Sequence, residues 1–148
     1  MVIDTSALLA ILQDEPERRA FNEAIEAAET TALSTATFVE TSIVIESRYG
    51  AEGLRDLDLL IAKATIDLVA IDAEQAHGAR HAFSRFGKGR HPANLNYGDC
   101  FSYALAKVLH APLLYKGDDF SQTDITAVIA TNPKVTQNRR GEAGILPR

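Results

Sequence analysis

The 148-residue chain holds one cysteine, Cys100, so no disulfide can close within it, and a disulfide-stapled extracellular fold is not expected. No apolar stretch approaches the roughly 20 residues needed to cross a bilayer, so no membrane association is expected. The N-terminal "MVIDTSALLAILQDEPERR" lacks a positive segment ahead of its apolar run, and Asp4 interrupts that run. It reads as a strand and a helix, not a secretory signal, and a cytoplasmic protein is the expectation. Several motifs are missing as well. There is no GxSxG and no P-loop, and His77 and His81 stand i, i+4 without the HExxH pattern, so they read as a surface pair. Cys100, beside Phe101, reads as a packed thiol.

One absence is local. From Gln75 to Gly98 there is no acidic residue, while Arg80, Arg85, Lys88, Arg90 and three histidines fall there. The net charge of −5 speaks against nucleic acid as a partner, but its distribution does not. Residues 1–74 carry 15 acidic and 5 basic residues, and residues 75–148 carry 5 acidic and 10 basic ones. Such a run is commonly a solvated face. Here it ends at a carboxylate, Asp99, and an anionic substrate needs a counter-charge near the chemistry.

A hydrophobic fraction of 46% and a charged fraction of 24% fit one soluble globular domain. "MVID", "TALS", "IDLVAI", "PLLYK" and "TAVIA" read as short strands. Between them, helical patterns run over "SALLAILQDE", "PERRAFNEAIEAAE" (opened by Pro16), "TATFVETSIVIESRYG" (ended by Gly50), "AEGLRDLDLLIAKA", "DAEQAHGARHAFSRFG" and "YGDCFSYALAKVLHA". The alternation predicts an α/β fold with a mainly parallel central sheet flanked by helices. The polar tail from Thr131 to Arg148 is expected to be mobile. In such sheets ligands gather at the carboxyl ends of the strands. That singles out Asp4, Ser34, Thr35, Asp72, Gly117, Asp118 and Asp119.

Each carboxylate there has a bland explanation. Asp72 in "VAIDAEQA" reads as a helix cap, with Gln75 at the third helical position of a capping box. Asp4 has Ala7 at that place, and Thr5 or Ser6 offers an alternative cap, so capping explains Asp4 less well. Glu40 lies among Phe38, Val39, Ile43 and Val44 with no cation within a turn, on a face with Thr37, Thr41 and Ser47. It is exposed, paired or bound to a cation. Asp99 suits a helix N-terminus. "KGDDF" adds Asp118 and Asp119. No single bland account covers the set, and clustered carboxylates repel unless a cation neutralises them. Hard oxygen ligands point to Mg²⁺ or Mn²⁺, as in phosphoryl chemistry.

"MVIDTSALLAIL", "TFVETSIVIESRYG", "GRHPANLNYGDCFSYALAK" and "PLLYKGDDFSQTDI" together resemble PIN-domain ribonucleases of the VapC toxin type, over nearly the whole of residues 1–130. The resemblance implies a Mg²⁺- or Mn²⁺-dependent endoribonuclease and the toxin of a type II toxin–antitoxin pair. It implies a homodimer restrained by a VapB-type antitoxin, with transfer RNA the substrate expected at family level. Carried over by position, Asp4, Glu40 and Asp99 match the three main acidic residues. Asp118 is preferred as the fourth, with Asp119 the alternative. Ser6 matches the hydroxyl beside the cluster. Arg85, Lys88 and Arg90 are candidates, with Ser6, for holding RNA. The tail 131–148 runs past the family pattern. Two rival readings stand beside this one: another metal-dependent phosphoesterase or DNA nuclease, and a non-catalytic binding module.

Overall fold

The computed structural model describes residues 1–130; the tail expected to be mobile lies outside the described residues. Four short parallel strands form one sheet in the order β3-β2-β1-β4: β1 (Val2–Ile3), β2 (Ala32–Ser34), β3 (Asp67–Val69) and β4 (Leu113–Leu114). Five helices pack around it: α1 (Thr5–Leu12), α2 (Arg18–Ala27), α3 (Thr35–Lys63), α4 (Ala73–Phe86) and α5 (Tyr97–Val108).

The strands are short but their pleat sorts two cores. Val2 pairs with Ala32 on one side and Leu113 on the other, and all three face the layer built by α4 and α5. Ile3, Leu33 and Leu114 point the opposite way, towards Leu8, Phe21, Ile25 and Leu57 of α1, α2 and α3. This is the period-2 alternation of a strand buried on both faces. It explains why "MVI" and "PLL" look uniformly apolar.

The helical run α3 is broken at Gly50, whose φ of 64° and ψ of −151° leave the helical region. Glycine meets that left-handed geometry without the Cβ clash other residues suffer, so the expected helix stop is a kink between two helical segments. Helix α2 begins at Arg18, two residues after Pro16. Helix α5 is buried nearly all round: Ser102, Tyr103, Ala104, Leu105 and Ala106 are all inaccessible. It touches α3, α4, β1, β2 and β4. Burying Leu105 alone contributes about 1.5–3 kcal/mol, and α5 is fixed as the centre of one core. Its first turn therefore has a fixed position.

The last expected strand, "TAVIA", forms only a single parallel bridge, Leu113 to Ala127. It makes two backbone bonds, Leu113 N–H to Thr126 O at 2.9 Å and Val128 N–H to Leu113 O at 3.0 Å. Its neighbour β4 is two residues long, so there is little ladder to extend.

Candidate active site

Because all four strands run the same way, their carboxyl ends share one rim. Asp4 follows β1 directly and is the N-cap of α1. Its Oδ2 accepts from Ser6 N–H at 3.0 Å and from Ser6 Oγ at 2.7 Å. So Asp4 caps the helix itself, in place of the Thr5 or Ser6 alternative. Its other oxygen, Oδ1, accepts from Ser102 Oγ of α5 at 2.6 Å. Asp4 is 3% exposed. A cap alone has no need of a third donor from a residue 98 positions away.

Asp72 behaves differently. Its Oδ1 accepts from Gln75 N–H at 2.9 Å, while the Gln75 side chain donates to Ala70 O at 3.0 Å. It is a helix cap, as its sequence setting predicts, with half of the capping box formed.

Asp99 sits at the third position of α5 and closes a full capping box. Asn96 Oδ1 accepts from Asp99 N–H, and Asp99 Oδ2 accepts from Asn96 N–H, both at 2.9 Å. One oxygen is thus tied to the backbone. Burial pushes the Asp99 carboxyl up, and the Asn96 N–H opposes this. The charges of Asp4, Asp119 and Glu40 add to the rise, and the group reaches about 7. Three segments of chain therefore bring negative charge to bear on Asp99.

Glu40 reaches the same place from α3. Its Oε1 accepts from Thr5 Oγ1 at 2.6 Å, and its carboxylate lies against the backbone of Gly98. A Cβ at position 98 would collide with both Glu40 oxygens. The glycine of "NYGDC" is thereby explained: it makes room for Glu40 beside the first turn of α5.

Of the two neighbouring aspartates, Asp119 is the one whose field reaches the cluster. Burial raises its carboxyl, followed by the charges of Asp118 and Asp4. Asp118 acts on Asp119 and on Tyr115. Among the described residues no cation forms an ion pair with Asp4, Glu40, Asp99 or Asp119. Lys116 is adjacent in sequence, but its ammonium binds Glu15 at 2.5 Å and Glu17 at 3.2 Å.

Residues 1–125 match the PIN domain family. The chain is 56% identical over 128 residues to Ribonuclease VapC30 of Mycobacterium tuberculosis, covering 86% of this chain and 98% of the relative. It is 58% identical over 128 residues to Ribonuclease VapC of Mycolicibacterium smegmatis, covering 86% and 99%. The chain is a PIN-domain protein of the VapC ribonuclease family. Solved structures agree on the fold. The sarcin–ricin loop cleaving toxin VapC20 of Mycobacterium tuberculosis superposes with a TM-score of 0.69 at 15% identity, covering 84% of this chain and 95% of that one. A toxin–antitoxin complex from Klebsiella pneumoniae gives 0.60 at 20% identity, covering 81% and 89%.

Within this VapC-family chain the other sequence candidates fall in separate places. Ser6 is engaged on both sides, donating to Asp4 and accepting from Lys116 N–H at 3.0 Å. Arg85 stacks on Phe86 and pairs with Asp124 at 3.6 Å. Asp124 also takes Lys107 at 2.9 Å and the Tyr103 hydroxyl at 2.6 Å. Burial raises the Asp124 carboxyl, but those two hydrogen bonds outweigh it and hold it below its ordinary value. Arg85 thus belongs to a lock between α4, α5 and the segment after β4. Arg90 lies over the Phe83 ring at 5.3 Å. Lys88 is exposed and joins no ion pair among the described residues. Cys100 is buried, and its thiol is pushed up to about 11 by burial and by Asp99; this is an inert thiol.

Sequence reasoning missed the hydroxyls of Thr5 and Ser102 as donors to carboxylates. Ser102 stands three residues after Asp99, on the same helix side. That spacing was the available signal.

Proposed function

We propose that this chain is a metal-dependent endoribonuclease acting as the toxin of a VapBC-type toxin–antitoxin pair. The observation that carries the reading is the convergence on Asp99 of charge from Asp4, Glu40 and Asp119, with no ion pair to any of them among the described residues. In solution such a group is neutralised by protons or by a metal ion. Relatives at 56–58% identity named as VapC ribonucleases support the RNA substrate. Among the described residues no group of three or more His, Cys, Asp or Glu side chains is gathered as a ready-made metal cage. Mg²⁺ ordinarily keeps several waters and is held by one or two carboxylates plus substrate phosphate, and Mn²⁺ shares its preference for oxygen ligands.

Asp4 and Asp99 would hold the ion, with Glu40 and Asp119 facing it. Asp119 replaces Asp118 as the preferred fourth carboxylate because its field reaches Asp4 and Asp99. A divalent cation bound there supplies Lewis-acid polarisation of the phosphodiester and an acidified water at neutral pH. Ser6 and Ser102 orient Asp4, Thr5 orients Glu40, and the Asn96 capping box orients Asp99. Lys88 and Arg90 are the basic candidates left to hold the RNA backbone, which makes cleavage salt-sensitive. Transfer RNA is the first substrate class to try, and a cytoplasmic setting goes with it. No described helix is long and apolar enough to cross a membrane.

A VapB-type antitoxin and a homodimer belong to the same proposal. The toxin–antitoxin complexes among the structural neighbours support the first. The second is supported by Val39 and Ile43 of α3, one turn apart beside Glu40 and 52% and 60% exposed. They are an apolar stripe of the kind a partner covers.

Purified protein should cut RNA with Mg²⁺ or Mn²⁺ and stop with EDTA, while DNA and small phosphodiesters stay intact. Equal cutting of DNA would move the reading to a general phosphoesterase. Cutting that survives chelation would remove the metal. A second test uses Gly98→Ala. Alanine favours the helix by up to about 1 kcal/mol, so the variant should remain folded, but its methyl displaces the Glu40 carboxylate. Cleavage should fall roughly 10-fold, the scale for disturbed metal-site partners. Wild-type rates in this variant would take Glu40 out of the site.

A further inference from the structure

Helix α3 carries Thr37 and Thr41 one turn apart on its inner face, both essentially inaccessible. Their hydroxyls are not hydrogen-bonded to the Asp4 or Glu40 carboxylate. Each instead meets a second hydroxyl that is. Thr37 Oγ1 lies 3.2 Å from Ser102 Oγ, and Ser102 Oγ donates to Asp4 Oδ1 at 2.6 Å. Thr41 Oγ1 donates to Thr5 Oγ1 at 3.1 Å, and Thr5 Oγ1 donates to Glu40 Oε1 at 2.6 Å.

The direction of the first chain follows from counting hydrogens. A serine hydroxyl has one. Ser102 spends it on Asp4, so Thr37 must be the donor to Ser102. In the second chain Thr5 spends its hydrogen on Glu40, and Thr41 shares its own between Thr5 and the carbonyl of Thr37 at 2.8 Å. Both chains therefore start on α3 and end on a carboxylate, the first on Asp4 and the second, by way of α1, on Glu40 of α3 itself. Ser102 is fully buried, and an unpaired hydroxyl there would carry a desolvation cost. Losing one link leaves its neighbour unsatisfied.

We propose that Thr37–Ser102 and Thr41–Thr5 are two hydroxyl relays that fix the Asp4 and Glu40 carboxylates for a divalent cation, making Ser102 and Thr37 positioning residues for metal binding. This rests on the metal-dependent reading above. The relays tie together β1–α1, α3 and α5, the three segments that deliver Asp4, Glu40 and Asp99. Partners that orient metal ligands from behind typically contribute 10–100-fold in affinity.

The test is Mn²⁺ titration calorimetry on the full chain, with RNA cleavage measured across Mn²⁺ concentration. The variants are Ser102→Ala, Thr37→Val, which keeps the shape and removes the hydroxyl, and Thr37→Ser, which keeps the hydroxyl. Ser102→Ala should bind Mn²⁺ about 10-fold more weakly. It should lose kcat at low Mn²⁺, recover it at high Mn²⁺, and keep its KM for RNA. Thr37→Val should show the same change, and Thr37→Ser should stay close to wild type. A purely structural role would lower the melting temperature and leave Mn²⁺ affinity alone. Wild-type affinity in Ser102→Ala, or equal behaviour of Thr37→Ser and Thr37→Val, overturns the relay. Should Ser102→Ala not fold, the Thr37 pair decides alone. If the wild-type chain itself binds no Mn²⁺, the metal reading has failed and the relay fails with it.

Discussion

Asp99→Asn is expected to abolish RNA cleavage by at least about 10²-fold, beyond the range for residues that only support metal ligands, while making the metal-free protein more stable at neutral pH. The two effects have one cause. Asparagine keeps a carbonyl oxygen at the third position of α5, so it can still accept from Asn96 N–H and preserve the capping box. It removes the charge that Asp4, Asp119 and Glu40 repel. The fold gains what the site loses. The natural control is Asp72→Asn. Asp72 is also an N-cap after a strand, but among the described residues its carboxylate takes its hydrogen bond from its own helix start and joins no ion pair. Asparagine caps as well as aspartate, so this variant should keep full activity and lose at most a few tenths of a kcal/mol through the helix dipole. Cleavage assays and melting curves on both variants separate the roles. An active Asp99→Asn enzyme would end the assignment of Asp99 to the site. An inactive Asp72→Asn enzyme would show that any lost carboxylate at this rim has the same effect.

This pairing shows which parts of the molecule were legible in sequence. Asp4 and Asp72 have nearly the same local pattern, and only the missing partner at Ala7 hinted that they differ. What separates them is Ser102, 98 residues from Asp4 along the chain, and no local pattern carries that contact. Alternating helices and strands were legible because β1 and β4 are buried on both faces and read as apolar runs. The break at Gly50 was legible, as a helix stop and not as a kink, because glycine meets the left-handed geometry freely. Asp118 and Asp119 could not be told apart, since adjacent identical residues differ only in the direction the backbone gives them. The acid-free segment suggested one basic surface, yet Asp124, far beyond it in sequence, claims Arg85. "TAVIA" has strand composition, but pairing also needs a partner of sufficient length, and β4 has two residues.

The raised Asp99 carboxyl makes a second large effect measurable without substrate. Its value in the folded chain is about 7, against an ordinary value of 3.8. Between those pH values the folded state binds a proton that the unfolded state does not, so metal-free stability falls as pH rises through the window. The penalty is fully present above about pH 7 and absent below about pH 4. With solvent screening of this half-buried group allowed for, the full penalty is roughly 1–2 kcal/mol. About half of it falls between ~pH 5.5 and ~pH 7.5, a drop in Tm of roughly 2–4 °C for a domain of this size. Asp99→Asn should flatten that slope, which assigns it to this carboxyl. Mg²⁺ or Mn²⁺ should act with the opposite pH dependence, because the ion competes with the proton for the same carboxylate. At about 100 times its dissociation constant a ligand stabilises by about 2.7 kcal/mol, or roughly 8–10 °C here. That gain should be large at ~pH 7.5, much smaller at ~pH 5.5, and largely lost in Asp99→Asn. Melting curves in EDTA and in Mn²⁺ at the two pH values read all of this. A metal-induced shift that is the same at both pH values, or that survives in Asp99→Asn, would place the ion somewhere other than beside Asp99.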